Sequence, residues 1–368
     1  MTTPPEPTPQ RSFGIPRTTA VEQVQNPLQP SANQPFKPLP APTGPSPYRL
    51  RLTDVTGPLD PNVLAFHCLG DSGGIMDPHP QIDVAGALTA DLTAEPRPAF
   101  LYHLGDVVYF NGDESQYGPQ FYEPYAHYPV PIFAIPGNHD GDNSDDLNVP
   151  SLSAFVQNFC SPTPHVDPRF NEYQRDTMDQ PNVYWTLQAA PFLTIIGLYT
   201  NVPGGGEVRA DHADWLTGEL KAADPALPVV ITLHHPPLSA DNHHGSCPAM
   251  ATLLDNAFQA SGRTADLVLS GHVHNYQRFI RTIGDKRIPY IVAGAGGYHN
   301  LHQMAAGAAP GLTVAANTVL QQFCDDKWGF LRLWVDKGEI GGTYTAVAAD
   351  GTTSTADSFT LSNGHISN

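Results

Sequence analysis

Histidine is in excess in this chain, 16 of 368 residues, and it gathers with Asp and Asn at the ends of short apolar runs. Val63–Leu69 ends in Gly70-Asp71, and Ala99–Leu104 in Gly105-Asp106. Val130–Ile135 ends in Pro136-Gly137-Asn138-His139-Asp140. Val229–Leu233 ends in His234-His235, and Leu267–Ser270 in Gly271-His272-Val273-His274. Asp71, Asp106, Asn138, His234, His272 and His274 offer oxygen and imidazole donors with no cysteine among them. Such a set suits Fe(III), Zn or Mn rather than Cu(I) or an iron–sulfur cluster. Seven bonds from these six residues, with one carboxylate bridging, would serve two ions. Two ions about 3.5–4 Å apart are a recurrent device for in-line displacement at phosphorus. Taken singly, each residue has a plainer reading: an Asp after Gly is commonly a turn or N-cap residue.

The runs themselves have the length and apolar character of buried strands. Pro191–Leu198 is another, without a polar cluster after it. Between the runs, helical spacing appears over 82–92, 213–223 and 249–260. Strands alternating with helices define an α/β fold. Phe330–Val335 and Gly342–Ala348 predict further, antiparallel strands near the end of the chain. In open α/β sheets functional loops lie beyond the carboxyl ends of the strands. Five strands ending in Asp, Asn or His therefore predict that those ends meet at one point.

Residues 1–48 hold 13 prolines. Proline fixes φ and removes a donor, so 1–50 reads as an extended segment and 51–368 as the folded domain. The formal charge is −18, from 18 Lys+Arg against 36 Asp+Glu, which disfavours a nucleic-acid surface. No apolar run approaches the roughly 18 residues of a membrane span. Cys68, Cys160, Cys247 and Cys324 form no CxxC pair and read as free thiols. The N-terminus lacks the apolar core of a secretory signal, so the expected compartment is the cytoplasm, with export as the alternative.

The five blocks, in this order, resemble those of the calcineurin-like metallophosphoesterases. Two details are similar to the purple acid phosphatases in particular: Tyr109 in Gly105-Asp106-Val107-Val108-Tyr109, and His243-His244 nine and ten residues after His234. The resemblance covers roughly residues 60–348. It implies a four-layer α/β/β/α sandwich with a dinuclear site at the carboxyl ends of the strands. Carried over by position, it implies that Asp71, Tyr109 and His274 bind Fe(III). Asn138, His234 and His272 would bind a divalent ion (Fe, Zn or Mn), with Asp106 bridging. His139, His243 and His244 would serve the leaving group, and Asp140 would orient His139. The implied activity is hydrolysis of small phosphate monoesters at acid pH by a metal-activated hydroxide, with inorganic phosphate as product. Two cations of total charge +5, against two carboxylates, a phenolate and one hydroxide, would leave about one positive charge in an otherwise acidic protein. No nucleic-acid or membrane partner is implied, and the oligomeric state stays open.

Rival functions are a metal-dependent phosphodiesterase or nucleotide hydrolase, a non-catalytic scaffold and a protein phosphatase. His235 competes with His234 for one ligand position, and His234 is favoured because it ends the apolar run. Tyr199 stands where the family often has an acidic residue. His67 and His103 read as core histidines. Gly204–Gly206 reads as a turn, since no P-loop Lys-Ser/Thr follows it. Gly141–Asp146 reads as a solvated loop. Gly294–Gly297 would allow close backbone approach to the site. The proline-rich start cannot build the β-sandwich that precedes the catalytic domain in plant-type enzymes, so a single-domain form is expected.

Overall fold

The computed structural model describes residues 38–141, 150–200 and 205–362, and the backbone of 365–367. Most of the proline-rich segment and Asp142–Asp146 lie outside the described residues.

Two sheets form the body. One has the order β16-β15-β14-β13-β2-β3-β4, the other β1-β5-β6-β7-β8-β10-β9-β12-β11. In the first, β2 (Val63–Leu69), β3 (Pro98–His103) and β4 (Ile132–Ala134) are parallel. They are extended antiparallel by β13 (Trp328–Asp336), β14 (Glu339–Val347), β15 (Thr353–Ser362) and β16 (His365–Ser367). In the second, β6 (Leu193–Gly197), β7 (Val229–Leu233), β8 (Leu267–Ser270) and β10 (Lys286–Ala293) are parallel. They are flanked by β1 (Arg49–Arg51), β5 (Trp185–Ala189), β9 (Tyr276–Ile283), β12 (Thr318–Cys324) and β11 (Thr313–Ala315). β1 pairs in parallel with β5, so the folded domain begins before residue 51. The tail is also tied down earlier, where the Thr43 and Gly44 N–H groups donate to Pro181 O at 3.0 and 2.9 Å.

The sheets pack face to face. Tyr102 of β3 stacks on Trp185 of β5 with ring centroids 6.0 Å apart, and its hydroxyl accepts from Thr232 of β7 at 3.1 Å. Tyr276 of β9 stacks on Tyr344 of β14 at 4.0 Å. A buried pair also crosses the interface: Arg278 donates to both Asp357 oxygens at 2.6 and 2.8 Å. The outer faces are covered by helices whose apolar residues recur at helical spacing. Val84 and Leu88 of His79–Asp91 join the first core. Leu216 and Leu220 of Ala210–Ala222, with Met250, Leu254 and Phe258 of Pro248–Ser261, join the second. Proline opens the last helix, where its missing N–H is harmless. Gly262 ends it at φ 70°, a left-handed position that glycine adopts without a Cβ clash. This is the expected layered α/β sandwich. All four cysteines are free, three buried and Cys247 half-buried.

His212 gives the second half of the molecule an acid weakness. Its ring is 2% exposed and stacks on Tyr184 at 4.0 Å; among the described residues its Nε2 has no partner. Burial pushes its pKa down to about 3. A depressed folded pKa means stability present above the unfolded value and lost as pH falls from about 6.5. At pH ~5 the cost is about 2 kcal/mol. His212→Phe is therefore expected to move the acid-unfolding midpoint to lower pH. Thermal melts of both proteins across the acid range check this, and an unshifted midpoint counts against it.

Candidate metal centre

The carboxyl ends of β2, β3, β4, β7 and β8 meet where the two sheets adjoin, and the backbone there is unusual. Asp71, Asp106 and His272 take φ of 58°, 54° and 69°, a conformation costing a non-glycine residue roughly 1–2 kcal/mol. Two glycines make room. A Cβ on Gly105 would lie 2.6 Å from Gly137 N and 2.7 Å from His234 Nδ1, and one on Gly137 would lie 2.2 Å from Asp106 Oδ1. Backbone bonds lock adjacent turns together: Asp71 N–H donates to Gly105 O at 2.9 Å and Gly271 N–H to His234 O at 3.1 Å.

On this frame the donors fall into two groups. In the first, Tyr109 Oη lies 3.5 Å from Asp71 Oδ1 and 3.3 Å from His274 Nε2, and Asp71 Oδ1 lies 3.6 Å from His274 Nε2. In the second, His234 Nε2 lies 3.0 Å from Asn138 Oδ1 and 3.3 Å from Asp106 Oδ2. One donor atom each of Asp106, His234 and His272 lie within 4.8 Å of one another. The seven residues singled out in sequence are thus brought together. His235 is not among them: its Nδ1 meets Thr200 Oγ1 at 2.9 Å, and its ring stands perpendicular to that of His234.

The donor set fits cations. His234 and His274 donate through Nδ1 to the carbonyls of Leu104 and Asn300, at 2.9 and 2.8 Å. Each Nε2 is thereby left facing a carboxylate, and an Nδ1–H committed to a carbonyl is the outer-shell arrangement usual for metal-bound histidine. Asp71 and Asp106 are buried, and among the described residues their ion pairs are with histidine alone. Buried carboxylates need a compensating positive charge.

The titration of the bare cage tells the same story. Burial raises Asp71 well above the usual carboxyl range, helped by the Asp106 charge and opposed by His234. Burial opposes charge on His234, but Asp106 and then Asp71 outweigh it and lift the pKa to about 9. Burial, with neighbouring imidazoles, drives His272 and His274 well below their ordinary value. Burial and then the charges of Asp106 and Asp71 keep Tyr109 a phenol.

The rim carries the other candidates. His139 N–H donates to Asp106 Oδ1 at 2.8 Å, and its Nδ1 donates to Phe110 O at 2.8 Å. Asp241 accepts the N–H groups of His243, His244 and Gly245 at 3.0, 2.9 and 2.7 Å, fixing that loop. The His244 ring stacks on His272 at 4.2 Å. Burial, then His243, pushes its pKa down to about 4, so in the bare cage the His244 ring is neutral in mild acid.

Asp140 also departs from its expected place. It does not orient His139: its Oδ1 accepts from Val107 and Val108 N–H at 3.0 and 3.1 Å, and its Oδ2 from Gly137 N–H at 2.8 Å. It clamps the Asp106 turn to the Asn138 turn. Gly294 fulfils its expectation, since a Cβ there would lie 2.8 Å from Asp71 Oδ2.

Sequence reasoning missed Tyr298, which stacks on Tyr109 at 4.0 Å and 19°, and His302, a buried ring 4.2 Å from His274. Both follow Gly294–Gly297 in a histidine-rich stretch, Tyr298-His299-Asn300-Leu301-His302, which was the available signal.

Residues 74–276, more than half of the chain, match the family model of the calcineurin-like phosphoesterases, and the chain belongs to that family. Within it the likeness is to purple acid phosphatases. The chain is 26% identical to purple acid phosphatase 22 of Arabidopsis thaliana, over 77% of this chain and 65% of that protein. It thus spans just under two thirds of this relative's length. A purple acid phosphatase from yellow lupin seeds shares the fold, with TM-score 0.59 at 18% identity, covering 82% of this chain and 54% of that one. A cAMP/cGMP dual specificity phosphodiesterase of Mycobacterium tuberculosis is 32% identical over 42% of this chain and 48% of that protein.

Proposed function

We propose that this chain is an acid phosphatase acting on small phosphate monoesters and releasing inorganic phosphate. The observation that carries the reading is the pair of donor groups, one with a tyrosine and one without. A phenol beside a carboxylate and an imidazole suits Fe(III) at Asp71, Tyr109 and His274. Asn138, His234 and His272 suit a divalent ion, Fe, Zn or Mn, with Asp106 shared. When bound, the two ions supply Lewis acidity toward the phosphoryl oxygens and a lowered pKa for water at the site.

The chain's own residues do the rest. The rigid turns around Gly105 and Gly137 hold the donors in place before substrate arrives, so little reorganisation is needed on binding. His139 has its Nδ1–H committed to Phe110 O, so it can give a proton only through Nε2, in the imidazolium form. His243 and His244, on the loop fixed by Asp241, stand at the rim to receive the ester oxygen.

The phosphodiesterase reading is favoured by the mycobacterial relative. Tyr109 separates the two readings, because most of the wider family lacks a tyrosine ligand. The test compares p-nitrophenyl phosphate with its bis-ester on purified, metal-analysed protein, and records the visible spectrum. A strong preference for the monoester is expected, with a visible band that Tyr109→Phe removes. A preference for the bis-ester, or a band unchanged in Tyr109→Phe, would overturn the proposal.

A further inference from the structure

Tyr109 lies on a loop after β3, where no strand neighbour holds its backbone. Gln120 does so instead. Buried at 1% exposure, it accepts Tyr109 N–H on Oε1 at 2.9 Å and donates from Nε2 to Tyr109 O at 2.8 Å. Its other Nε2 proton goes to Gln116 Oε1 at 2.8 Å. Gln120 is itself anchored, since its backbone carbonyl accepts from Gln81 Nε2 at 2.6 Å. Gln81 Oε1 accepts Gly74 N–H at 3.0 Å, and its Nε2 reaches Ser72 Oγ at 3.4 Å. His103 closes the chain. Its Nδ1 accepts Gly105 N–H at 3.2 Å, so its Nε2 carries the proton, which it donates to Ser72 Oγ at 2.9 Å. Burial pushes the His103 pKa to about 3. The neighbours of Asp71 and Asp106 are thereby joined to Tyr109 by a neutral, buried polar network.

The fit is close. A Cβ on Gly73 would lie 2.4 Å from Gln120 Oε1 and 2.8 Å from Tyr109 Cδ2. Tyr298 covers a face of the Tyr109 ring. With backbone and ring both held, the phenol oxygen has one direction, toward Asp71 Oδ1 and His274 Nε2. Losing an outer partner that orients a donor in this way typically costs about 10- to 100-fold in metal affinity or activity.

We infer that Gln120, braced by Gln81, is the positioning residue that aims the Tyr109 phenol at the first metal. This rests on the reading of Tyr109 as a ligand to iron. The test uses full-length, iron-loaded protein and measures the visible band per bound iron together with iron affinity. The variants are Gln120→Met, Gln120→Glu, Gln81→Met and Tyr109→Phe. Gln180→Met is the structural control. Gln180 is equally buried and grips Ala134 in the same two-bonded way, at 2.7 and 2.8 Å, but it does not touch Tyr109.

Gln120→Met is expected to shift or weaken the band and to loosen iron by about 10- to 100-fold. Gln120→Glu keeps an acceptor for Tyr109 N–H and, with its carboxyl held protonated by burial, one donor, so it should stay nearer the wild type, and Gln180→Met should keep the wild-type band. Should Gln120→Met not fold, Gln81→Met and Gln120→Glu carry the test by a smaller shift in the same direction. A wild-type band and iron affinity in the Gln120 and Gln81 variants that fold, while Tyr109→Phe abolishes the band, overturns the inference alone. An iron-loaded wild type without a band that Tyr109→Phe removes overturns the ligand reading, and the inference falls with it.

Discussion

Asp106→Asn is expected to lower kcat/KM on phosphate monoesters by about 1000-fold or more, with one metal lost from the purified protein. Asparagine keeps the size of the side chain and an oxygen to accept His139 N–H, which Asp106 takes at 2.8 Å. What disappears is the charge. Burial opposes that charge, yet His234 and His139 hold the Asp106 carboxyl well below its ordinary range. It is therefore the anion on which the second donor group is built. Lewis-acid stabilisation is worth several kcal/mol, and each 1.36 kcal/mol is tenfold in rate, so a loss of about 4 kcal/mol gives the stated factor. Steady-state kinetics with metal analysis by emission spectroscopy checks it. Activity within about tenfold of wild type with both metals retained would show that Asp106 does not join the two groups.

The parts of this site legible in sequence share one property: their role is announced by what precedes them on the chain. Val63–Leu69 and Val229–Leu233 are buried on both faces, so they read as apolar runs broken only by the buried His67 and Thr232, and their ends could be found. The boundaries were less legible. Val130–Ile135 predicts six residues of strand, but only Ile132–Ala134 pair, against three residues of β3. β9, Tyr276–Ile283, was missed because it reads as polar: Gln277 and Arg278 are buried in it, and the carboxylate that makes Arg278 tolerable, Asp357, comes 79 residues later.

The positioning residues were illegible for the same reason. Gln120 and Gln81 are ordinary surface residue types whose partners lie on other segments of the chain. Asp140 misled because sequence adjacency suggested His139, whereas the turn aims its carboxylate at Gly137, Val107 and Val108. The positive φ of Asp71, Asp106 and His272 is likewise invisible in a sequence. It is the kind of local strain that a functional site retains and the surrounding structure must hold in place.

Stripping the metals should lower the melting temperature, and the gap between loaded and stripped protein should widen as pH rises from about 5 to about 8. The sign follows from the bare cage. Asp140 is lifted by burial and by the Asp106 charge to about 7, and Asp71 moves the same way. A carboxyl whose folded pKa lies above its unfolded value, about 3.9, favours the fold while protonated, and that stability drains away as pH climbs toward the folded value. His234 adds to this trend. With its pKa raised to about 9, its stabilisation is complete below about 6.5 and is lost as pH rises through about 9. Asp106, held low, acts in the other direction only below about pH 4. Through these groups the stripped cage weakens toward neutrality, relative to the loaded one, by several kcal/mol, roughly 5–10 °C in a domain of this size; buried neutral histidines such as His212 cost stability below about pH 6.5 in both forms and drop out of the gap. The loaded protein behaves oppositely, because binding a cation releases protons from its ligands and so strengthens with pH. Differential scanning calorimetry of matched loaded and stripped samples across this range reads both trends at once. A gap that stays constant or narrows would mean that the carboxylates are compensated by something other than a cation.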